Sequence, residues 1–197
     1  MRKIDISNII LESKRLLIRG WKITDLDDFY EYAKVPGVGE MAGWTHHQSK
    51  EESMMILKMF IDGKHTFAVI SKDDNKVIGS IGIEESSVAI ENKEGKSIGC
   101  VLNKNYWGKG IMVEALTEVI NYLFTTLKLD YLIYSYFVWN KQSKRVMEKL
   151  GFEFLRVGYF KSTVLDNRNS YDDFDCNNNI YKIEETNINI LYNKHFI

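Results

Sequence analysis

Proline and cysteine are the two residue types that this sequence nearly lacks. The chain of 197 residues contains one proline, Pro36, and two cysteines, Cys100 and Cys176. The cysteines are far apart and form no CxxC pair, which argues against both a disulfide framework and a zinc site. The four histidines have no HExxH-type spacing. We therefore expect no metal in this protein.

Long apolar runs and an excess of charge of one sign are missing as well. No stretch reaches the ~20 apolar residues of a membrane-spanning helix. Charged residues from Glu12 to Arg19 interrupt the N-terminal segment, so we expect no secretion signal. The formal net charge is −1, and no cluster of Lys and Arg indicates a nucleic-acid-binding face. We predict a cytoplasmic protein that binds neither nucleic acid nor a membrane.

Apolar patterns of two periods follow one another without an internal repeat or a linker, which predicts a single domain over residues 1–197. Three-and-four spacing predicts helices at 24–33, 49–61, from 112 to about 127, and 141–150. Alternating or continuous apolar runs predict strands at 15–21, 66–71, 76–83, 97–102, 131–138, 152–160 and 177–183. The fold class is therefore α/β, with early helices, an antiparallel meander and a strand-helix-strand-helix unit at 97–150. Residues 184–197 alternate without an obvious partner.

The segment Asn105-Tyr106-Trp107-Gly108-Lys109-Gly110 stands directly between a predicted strand and the longest predicted helix. A helix start leaves backbone N–H groups unpaired and carries partial positive charge. Two glycines there let an anion such as a diphosphate approach those amides, although a plain glycine turn is the alternative. Ile111 excludes the Walker pattern, and Val113 excludes the third glycine of a dinucleotide fingerprint.

A second motif, Trp139 to Phe152, places Asn140 where the next strand ends and the next helix begins, with Ser143 three residues on. These residues are also common as an N-cap and a first-turn residue, which is the structural alternative. Right-handed crossovers bring successive strand ends together. We therefore expect the two helix starts to flank one ligand crevice.

Taken together, these motifs resemble the GNAT superfamily of acyl-CoA-dependent N-acyltransferases, most closely its RimJ/RimL-like branch of ribosomal-protein N-terminal acetyltransferases. The resemblance rests on LESKRLLIRGW (11–21), VIGSIGI (77–83), IGCVLNKNYWGKGIMVEAL (98–116) and WNKQSKRVMEKLGF (139–152). It covers about residues 11–183 and leaves 184–197 as a C-terminal extension. It implies a GNAT-like domain whose mixed, mostly antiparallel sheet contains a splayed parallel strand pair flanked by helices.

The resemblance also implies acetyl-CoA as co-substrate and assigns residues to its binding. The amides of the loop would hold the diphosphate, while the strand backbone and an asparagine would hold the pantetheine arm. In this sequence those residues are Trp107, Gly108, Lys109, Gly110, Ile111 and Met112 for the loop, Val101 and Leu102 for the strand, and Asn140 for the arm. Asn105 departs from the family's usual Gln or Arg. Ser143 matches the serine proposed to protonate the departing thiolate.

The acceptor side is less well determined by the resemblance. Glu84 is our leading candidate for the general base that removes a proton from the amine. Asp173 and Tyr136 are further candidates that we assign to substrate binding. Trp44, in the loop between the first two helices, is our candidate for contact with the acceptor, because the resembling branch often has an aromatic residue there. A lid residue or a packed core residue is the structural alternative.

Two further function classes stay open beside the enzyme. The leading hypothesis is an N-acetyltransferase that moves an acetyl group from coenzyme A to a primary amine, either a protein N-terminus or a small molecule, in a ternary complex. A non-catalytic acyl-CoA-binding module of the same fold is the alternative. A nucleic-acid-binding protein is disfavoured by the near-neutral charge. We expect a monomer or a homodimer.

Overall fold

The computed structural model of the chain describes residues 3–162, 172–174 and 180–193. Within them the chain forms four α-helices and nine β-strands. The helices are α1 (Leu26–Ala33), α2 (Lys50–Gly63), α3 (Ile111–Thr125) and α4 (Lys141–Lys149). The strands are β1 (Ile10–Glu12), β2 (Leu16–Gly20), β3 (Thr66–Ser71), β4 (Lys76–Glu85), β5 (Gly95–Leu102), β6 (Tyr131–Phe137), β7 (Glu153–Ser162), β8 (Asp172–Phe174) and β9 (Ile180–Tyr192).

All nine strands belong to one sheet. Their order is β1-β2-β3-β4-β5-β6-β9-β7, and β8 pairs with β9. Strands β5 and β6 run parallel, connected through α3, whereas the other pairs are antiparallel. A parallel pair needs such a crossover connection, which the helix supplies. This architecture confirms the predicted mixed, mostly antiparallel sheet with one parallel pair.

Helices cover both faces of the sheet, as the side chains of β3 illustrate. Phe67 and Val69 pack in a core cluster with residues of α3 and α4. Ala68 and Ile70 pack in a second cluster with residues of α1 and α2. Because successive strand residues point to opposite faces, α3 and α4 lie on one face and α1 and α2 on the other.

The central helix α3 shows why this part of the sequence folds as it does. Its buried side chains recur every three or four positions: Ile111, Met112, Ala115, Leu116, Val119, Ile120 and Leu123. This spacing places them on one side of the helix, against the sheet. Burying each large aliphatic side chain contributes roughly 1.5–3 kcal/mol, so the position of the helix start is fixed by the packing of the turns that follow.

The C-terminal part of the chain differs from the expectation. Residues 184–192, for which the sequence suggested no partner, belong to β9, which lies between β6 and β7. Its alternation has a simple cause, because Ile188 and Ile190 face a core cluster with β6. The strand is therefore internal to the sheet.

Among the helices of the described residues, none is both long and apolar enough to cross a membrane.

Candidate active site

The glycine loop before α3 adopts a left-handed backbone, which favours glycine, at two positions. Gly108 has φ +75° and Gly110 has φ +74°, in the left-handed region that costs other residues roughly 1–2 kcal/mol. Gly110 is also the N-cap of α3. No atom lies within 4 Å of the position of a Cβ on Gly108. The loop surface at Gly108 is therefore open to a ligand.

This loop presents a set of unpaired backbone donors. The first hydrogen bond of α3 runs from the Glu114 N–H to the Gly110 carbonyl, and the amides of 108–113 have no acceptor among the described residues. The amide of Trp107, a predicted donor, is engaged with the Lys104 carbonyl at 3.2 Å. The free predicted donors therefore run from Gly108 through Met112, at the positive end of the helix dipole.

Lys109 lies at the outer side of this loop. Its carbonyl accepts a hydrogen bond from Arg15 Nη1 at 3.1 Å. Its ammonium group lies 5.4 Å from the centre of the Tyr106 ring. Lys109 is not among the residues that line the adjacent cleft, so its predicted contribution is limited to the backbone amide.

A cleft opens where the two parallel strands stop pairing. β5 and β6 are in register from Gly95↔Tyr131 to Ile98↔Tyr134, and the residues beyond, 99–102 and 135–137, line a cleft of about 480 Å³. This separation agrees with the splayed pair that the resemblance implies. Besides these strand residues and Tyr134, the cleft is lined by Val38, Met41, Ala42, Tyr106, Trp107, Gly108, Gly110, Ile111, Met112, Val113, Asn140, Gln142, Ser143, Arg145, Val146, Lys149 and Thr186.

The hydrogen bonds of β5 determine which backbone groups face this cleft. Asn103 N–H donates to the Ile78 carbonyl at 2.7 Å, so this pair is a hydrogen-bonded one. Such pairs alternate along an antiparallel ladder, and the register then directs the backbone of Val101 towards β4. The backbone groups of Cys100 and Leu102 point to the opposite edge, where the cleft lies. The Leu102 carbonyl already accepts from Trp107 Nε1 at 2.8 Å.

Asn140 and Ser143 meet at the start of α4, on the wall of the cleft. The Asn140 Oδ1 accepts from the Ser143 N–H at 3.0 Å, and its Nδ2 donates to the Met41 carbonyl at 3.2 Å. Asn140 is therefore the N-cap of α4, which is the structural alternative given in the sequence analysis. The same side chain connects α4 to the loop between α1 and α2.

The Ser143 hydroxyl belongs to a short polar chain inside the cleft. It lies 3.0 Å from the Tyr134 hydroxyl, which lies 3.1 Å from Cys100 Sγ. Burial raises the pKa of the Cys100 thiol to about 11, against a small lowering from its hydrogen bond to Tyr134. Burial, together with the neighbouring thiol, also raises the pKa of Tyr134 well above its usual value. Both groups are therefore protonated and neutral near pH 7.

The predicted acceptor-side residues are distributed differently. Tyr136 lines the cleft, whereas Glu84 and Trp44 do not. The Glu84 side chain is 65% exposed on β4, and its Oε1 lies 3.3 Å from His65 Nδ1. Trp44 packs beside the α1–α2 core cluster, with its ring 5.1 Å from that of His47. Asp173 lies in β8, and its side chain is outside the described part of the structure.

Several cleft residues had no assigned role in the sequence analysis. Thr186 comes from β9, and Met41 from the loop between α1 and α2. Tyr134 was read only as a strand residue. Tyr134 precedes Tyr136 by two residues in a strand, so the two side chains point to the same face of the sheet. This spacing could have indicated that Tyr134 lies in the cleft. No comparable signal distinguished Thr186, because its distance from the other motifs in sequence hides its pairing with Phe137.

Unpaired amides at a helix start lie beside a cleft between two separating parallel strands, an arrangement typical of proteins that bind a phosphate-bearing ligand. Residues 15–153 match the Acetyltransferase (GNAT) domain family. The chain belongs to this family. The match confirms the predicted family, fold and class of enzyme, an N-acetyltransferase, and favours catalysis over a non-catalytic module.

Named relatives agree with this assignment. The uncharacterized N-acetyltransferase p20 of Bacillus licheniformis is 29% identical over 149 residues, which cover 73% of this chain and 82% of p20. The ribosomal protein uS5-alanine N-acetyltransferase of Escherichia coli K12 is 30% identical over 99 residues, or 50% of this chain and 49% of that protein. The second relative agrees with the predicted RimJ/RimL-like resemblance.

Solved structures share the fold. A GNAT-family acetyltransferase from Bacillus anthracis superposes with a TM-score of 0.73 at 23% identity, covering 94% of this chain and 99% of that one. The microcin C7 self-immunity acetyltransferase MccE, solved with acetyl-CoA and AMP, superposes with a TM-score of 0.66 at 14% identity, covering 91% of this chain and 93% of that one.

Proposed function

We propose that this enzyme transfers an acetyl group from acetyl-CoA to a primary amine, by direct attack within a ternary complex in the β5–β6 cleft. One observation carries the proposal: the glycine loop presents unpaired amides at the mouth of a cleft formed where two parallel strands separate. Diphosphate is the natural ligand of such amides. A thioester arm of the donor then fits the cleft.

Donor binding begins at the loop. The amides of Gly108, Lys109, Gly110, Ile111 and Met112 surround the diphosphate in this proposal. Open space over Gly108 supports this assignment, because a side chain there would occupy the room that the phosphate needs. Arg145 and Lys149 line the same cleft on α4 and add positive charge.

The pantetheine arm lies against the free edge of β5. The N–H and C=O of Cys100 and the N–H of Leu102 are the groups that the strand register leaves for it. Val101 contributes its side chain to the wall rather than its backbone. A fixed strand amide directed at the thioester oxygen stabilises the negative charge that develops on it during attack.

The chemical step forms a bond between the amine nitrogen and the carbonyl carbon and breaks the bond from that carbon to sulfur. The leaving thiolate takes a proton, since a free thiol has a pKa near 8.5. We assign this proton to the Ser143 hydroxyl. The nitrogen releases a proton as the amide forms, and this proton restores the hydroxyl. The hydrogen bond of Ser143 with Tyr134 supports the assignment, because the buried tyrosine stays protonated and holds the serine in place.

The attacking amine must first lose a proton, because an amine with a pKa near 10.4 is almost entirely protonated at neutral pH. Glu84 stays our proposed base, acting through water. Its register partner on β5 is Ser97, so its diagonal neighbour is Gly99 on the cleft wall. Diagonal neighbours on one face are roughly 7–8 Å apart, so a short chain of water molecules, rather than a single one, connects the carboxylate with the amine in this proposal.

The acceptor enters from the side of the α1–α2 loop in this proposal. Tyr136 and Met41 line the cleft, and Trp44 supports the same loop from the core side. Asp173 stays a predicted acceptor contact. A protein N-terminus and a small amine both stay open as acceptors, and the cytoplasmic location, the monomeric or homodimeric state and the absence of nucleic-acid binding stay predictions.

The test is release of coenzyme A, followed with a thiol reagent, when the protein is incubated with acetyl-CoA and a panel of peptides, polyamines and amino sugars. We expect turnover with at least one of these amines and its loss in a Gly108→Glu, Gly110→Glu double variant, whose carboxylates repel the diphosphate. Wild-type turnover in the double variant would contradict the proposed donor site. Coenzyme A binding without acetylation of any amine would instead favour the non-catalytic module.

A further inference from the structure

One arginine outside the cleft holds the glycine loop in its conformation. Arg15, directly before β2, reaches Glu114 in the first turn of α3, where its Nε and Nη2 each lie 2.6 Å from Oε2. Its Nη1 donates to the Lys109 carbonyl at 3.1 Å. The other Glu114 oxygen accepts from the Arg15 N–H at 2.9 Å and from the Ser13 hydroxyl at 2.7 Å. We call this group, Ser13, Arg15 and Glu114, the loop clamp.

The contact with the Lys109 carbonyl sets the direction of the neighbouring amide. A trans peptide unit is planar, and its C=O and N–H point to opposite sides. The carbonyl of Lys109 and the N–H of Gly110 belong to one such unit, and no cis bond occurs in the described residues. With the carbonyl held towards Arg15, the Gly110 N–H is directed away from the arginine.

The clamp also controls charge at the helix start. Glu114 lies in the first turn of α3, beside the amides that face the cleft. Partial burial disfavours its charged form, but hydrogen bonds from Ser13 and Arg15 outweigh this and lower its pKa. The carboxylate is thus ionised at neutral pH. Unpaired, it would repel an anion at the same helix start, and the guanidinium of Arg15 neutralises it.

We propose that Arg15 is a positioning residue for the donor: by holding the Lys109 carbonyl, it aims the Gly110 amide into the diphosphate site. This inference rests on the proposed function and extends it to a residue that touches neither the donor nor the acceptor. Arginine suits the task, because its planar fork serves the carboxylate and the carbonyl at once, which a lysine ammonium does not.

The test compares two thioester donors. Acetyl-CoA carries the diphosphate, whereas S-acetylpantetheine has the same reacting end without it. We expect Arg15→Gln to lower kcat/KM for acetyl-CoA by about 10- to 100-fold, through KM, the range for losing a charge-assisted hydrogen bond. The same variant should keep kcat/KM for S-acetylpantetheine within about threefold, because that donor never uses the loop amides. Arg15→Lys should not restore the acetyl-CoA value.

The control variant is Lys72→Gln. Lys72 Nζ binds Glu12 and the Ser13 carbonyl, each at 2.6 Å. The substitution therefore removes an ion pair beside the loop clamp but leaves in place the side-chain bonds of Ser13 and Arg15 to Glu114 and the bond of Arg15 to the Lys109 carbonyl. We expect wild-type kinetics with both donors. A loss with both donors in Arg15→Gln, or a loss of acetyl-CoA turnover in Lys72→Gln, would mean a general structural role and overturn the proposal.

A double variant separates aiming from charge neutralisation. Arg15→Gln combined with Glu114→Gln removes the uncompensated carboxylate but leaves the Lys109 carbonyl unheld. We expect the double variant to stay impaired with acetyl-CoA, and full recovery would overturn the aiming role. If the wild-type protein turned over neither donor, the proposed function itself would fail. If the wild-type protein turned over acetyl-CoA and the Arg15 variants did so equally well, the inference about Arg15 would fail and the proposed function would stand.

Discussion

Replacing Gly110 by alanine tests whether the left-handed backbone of the loop serves donor binding. Gly110 has φ +74°, and an added Cβ would meet only Arg15 Nη2, at 3.8 Å. The substitution therefore creates no clash, and its effect comes from the backbone alone. An alanine in this region costs about 1–2 kcal/mol.

The position of the loop decides where this free energy appears. Residues 108–110 are exposed, so the loop relaxes locally into other conformations rather than passing all the strain to the fold. Apparent affinity falls with the fraction of molecules that keep the binding conformation. A penalty of about 1–2 kcal/mol then raises the KM for acetyl-CoA by about 5- to 30-fold, with at most about 2–8 °C lost in Tm.

Gly37→Ala is the matched control for this measurement. Gly37 also has a left-handed backbone, φ +88°, and no atom within 4 Å of a Cβ, but it lies in the α1–α2 loop. We expect the same range of Tm loss with an unchanged KM for acetyl-CoA. Steady-state kinetics with varied acetyl-CoA, together with thermal melting, measure both quantities. A Gly110→Ala enzyme with the wild-type KM would refute the connection between loop backbone and donor binding.

Four other changes probe the chemistry and the loop clamp. Ser143→Ala should lower kcat by about 100-fold or more with little change in the KM for acetyl-CoA, and Tyr134→Phe should lower kcat less. An unchanged kcat in Ser143→Ala would exclude Ser143 as the proton donor. With a pKa of about 11, Cys100 should be alkylated by iodoacetamide more slowly at pH 8 than a free cysteine, with a rate that keeps rising towards pH 11. Mass spectrometry of its peptide measures this, and a plateau near pH 8.5, the ordinary thiol value, would contradict the burial argument. Because the pKa of Glu114 is lowered in the folded state, its ionised carboxylate stabilises the fold above about pH 4.3, the ordinary pKa of a glutamate. This stabilisation is lost as the pH falls through the pKa of the folded state. The Tm of Glu114→Gln should therefore be lower than the wild-type Tm at pH 7, and this difference should shrink below about pH 4. An equal difference at the two pH values would contradict the stabilising role of the carboxylate.

Local patterns made much of this structure predictable. The glycine loop and the start of α3 depend on residues that are adjacent in sequence, so their spacing predicted free amides at a helix start, with a plain glycine turn as the alternative. The buried side of α3 and the hairpin of β3 and β4 likewise follow from patterns of residues that are close in sequence. The fold class followed from the order of these elements, and the resemblance then supplied the separation of β5 from β6.

Features that depend on pairing between distant segments could not be predicted from the sequence in the same way. Val101 was predicted to offer its backbone to the donor, but the hydrogen-bond phase of β5, fixed by Asn103 and Ile78, turns it towards β4. Trp44 was predicted beside the acceptor from the family resemblance, with a core role as one alternative, and it packs beside core residues of α1 and α2. No pattern in the sequence assigned Thr186 to the cleft, because only the register of β9 brings it there.

The position of β9 has a consequence for how this protein is made. One edge of β6 pairs with β5 and the other with β9. Because β9 is synthesised roughly fifty residues after β6, the second edge of β6 stays unpaired until then. Until then a nascent chain exposes that edge, a template for pairing with other chains. Thr186 pairs with Phe137 through β9, so this wall of the cleft forms only after both helix starts have been synthesised and β9 has followed them.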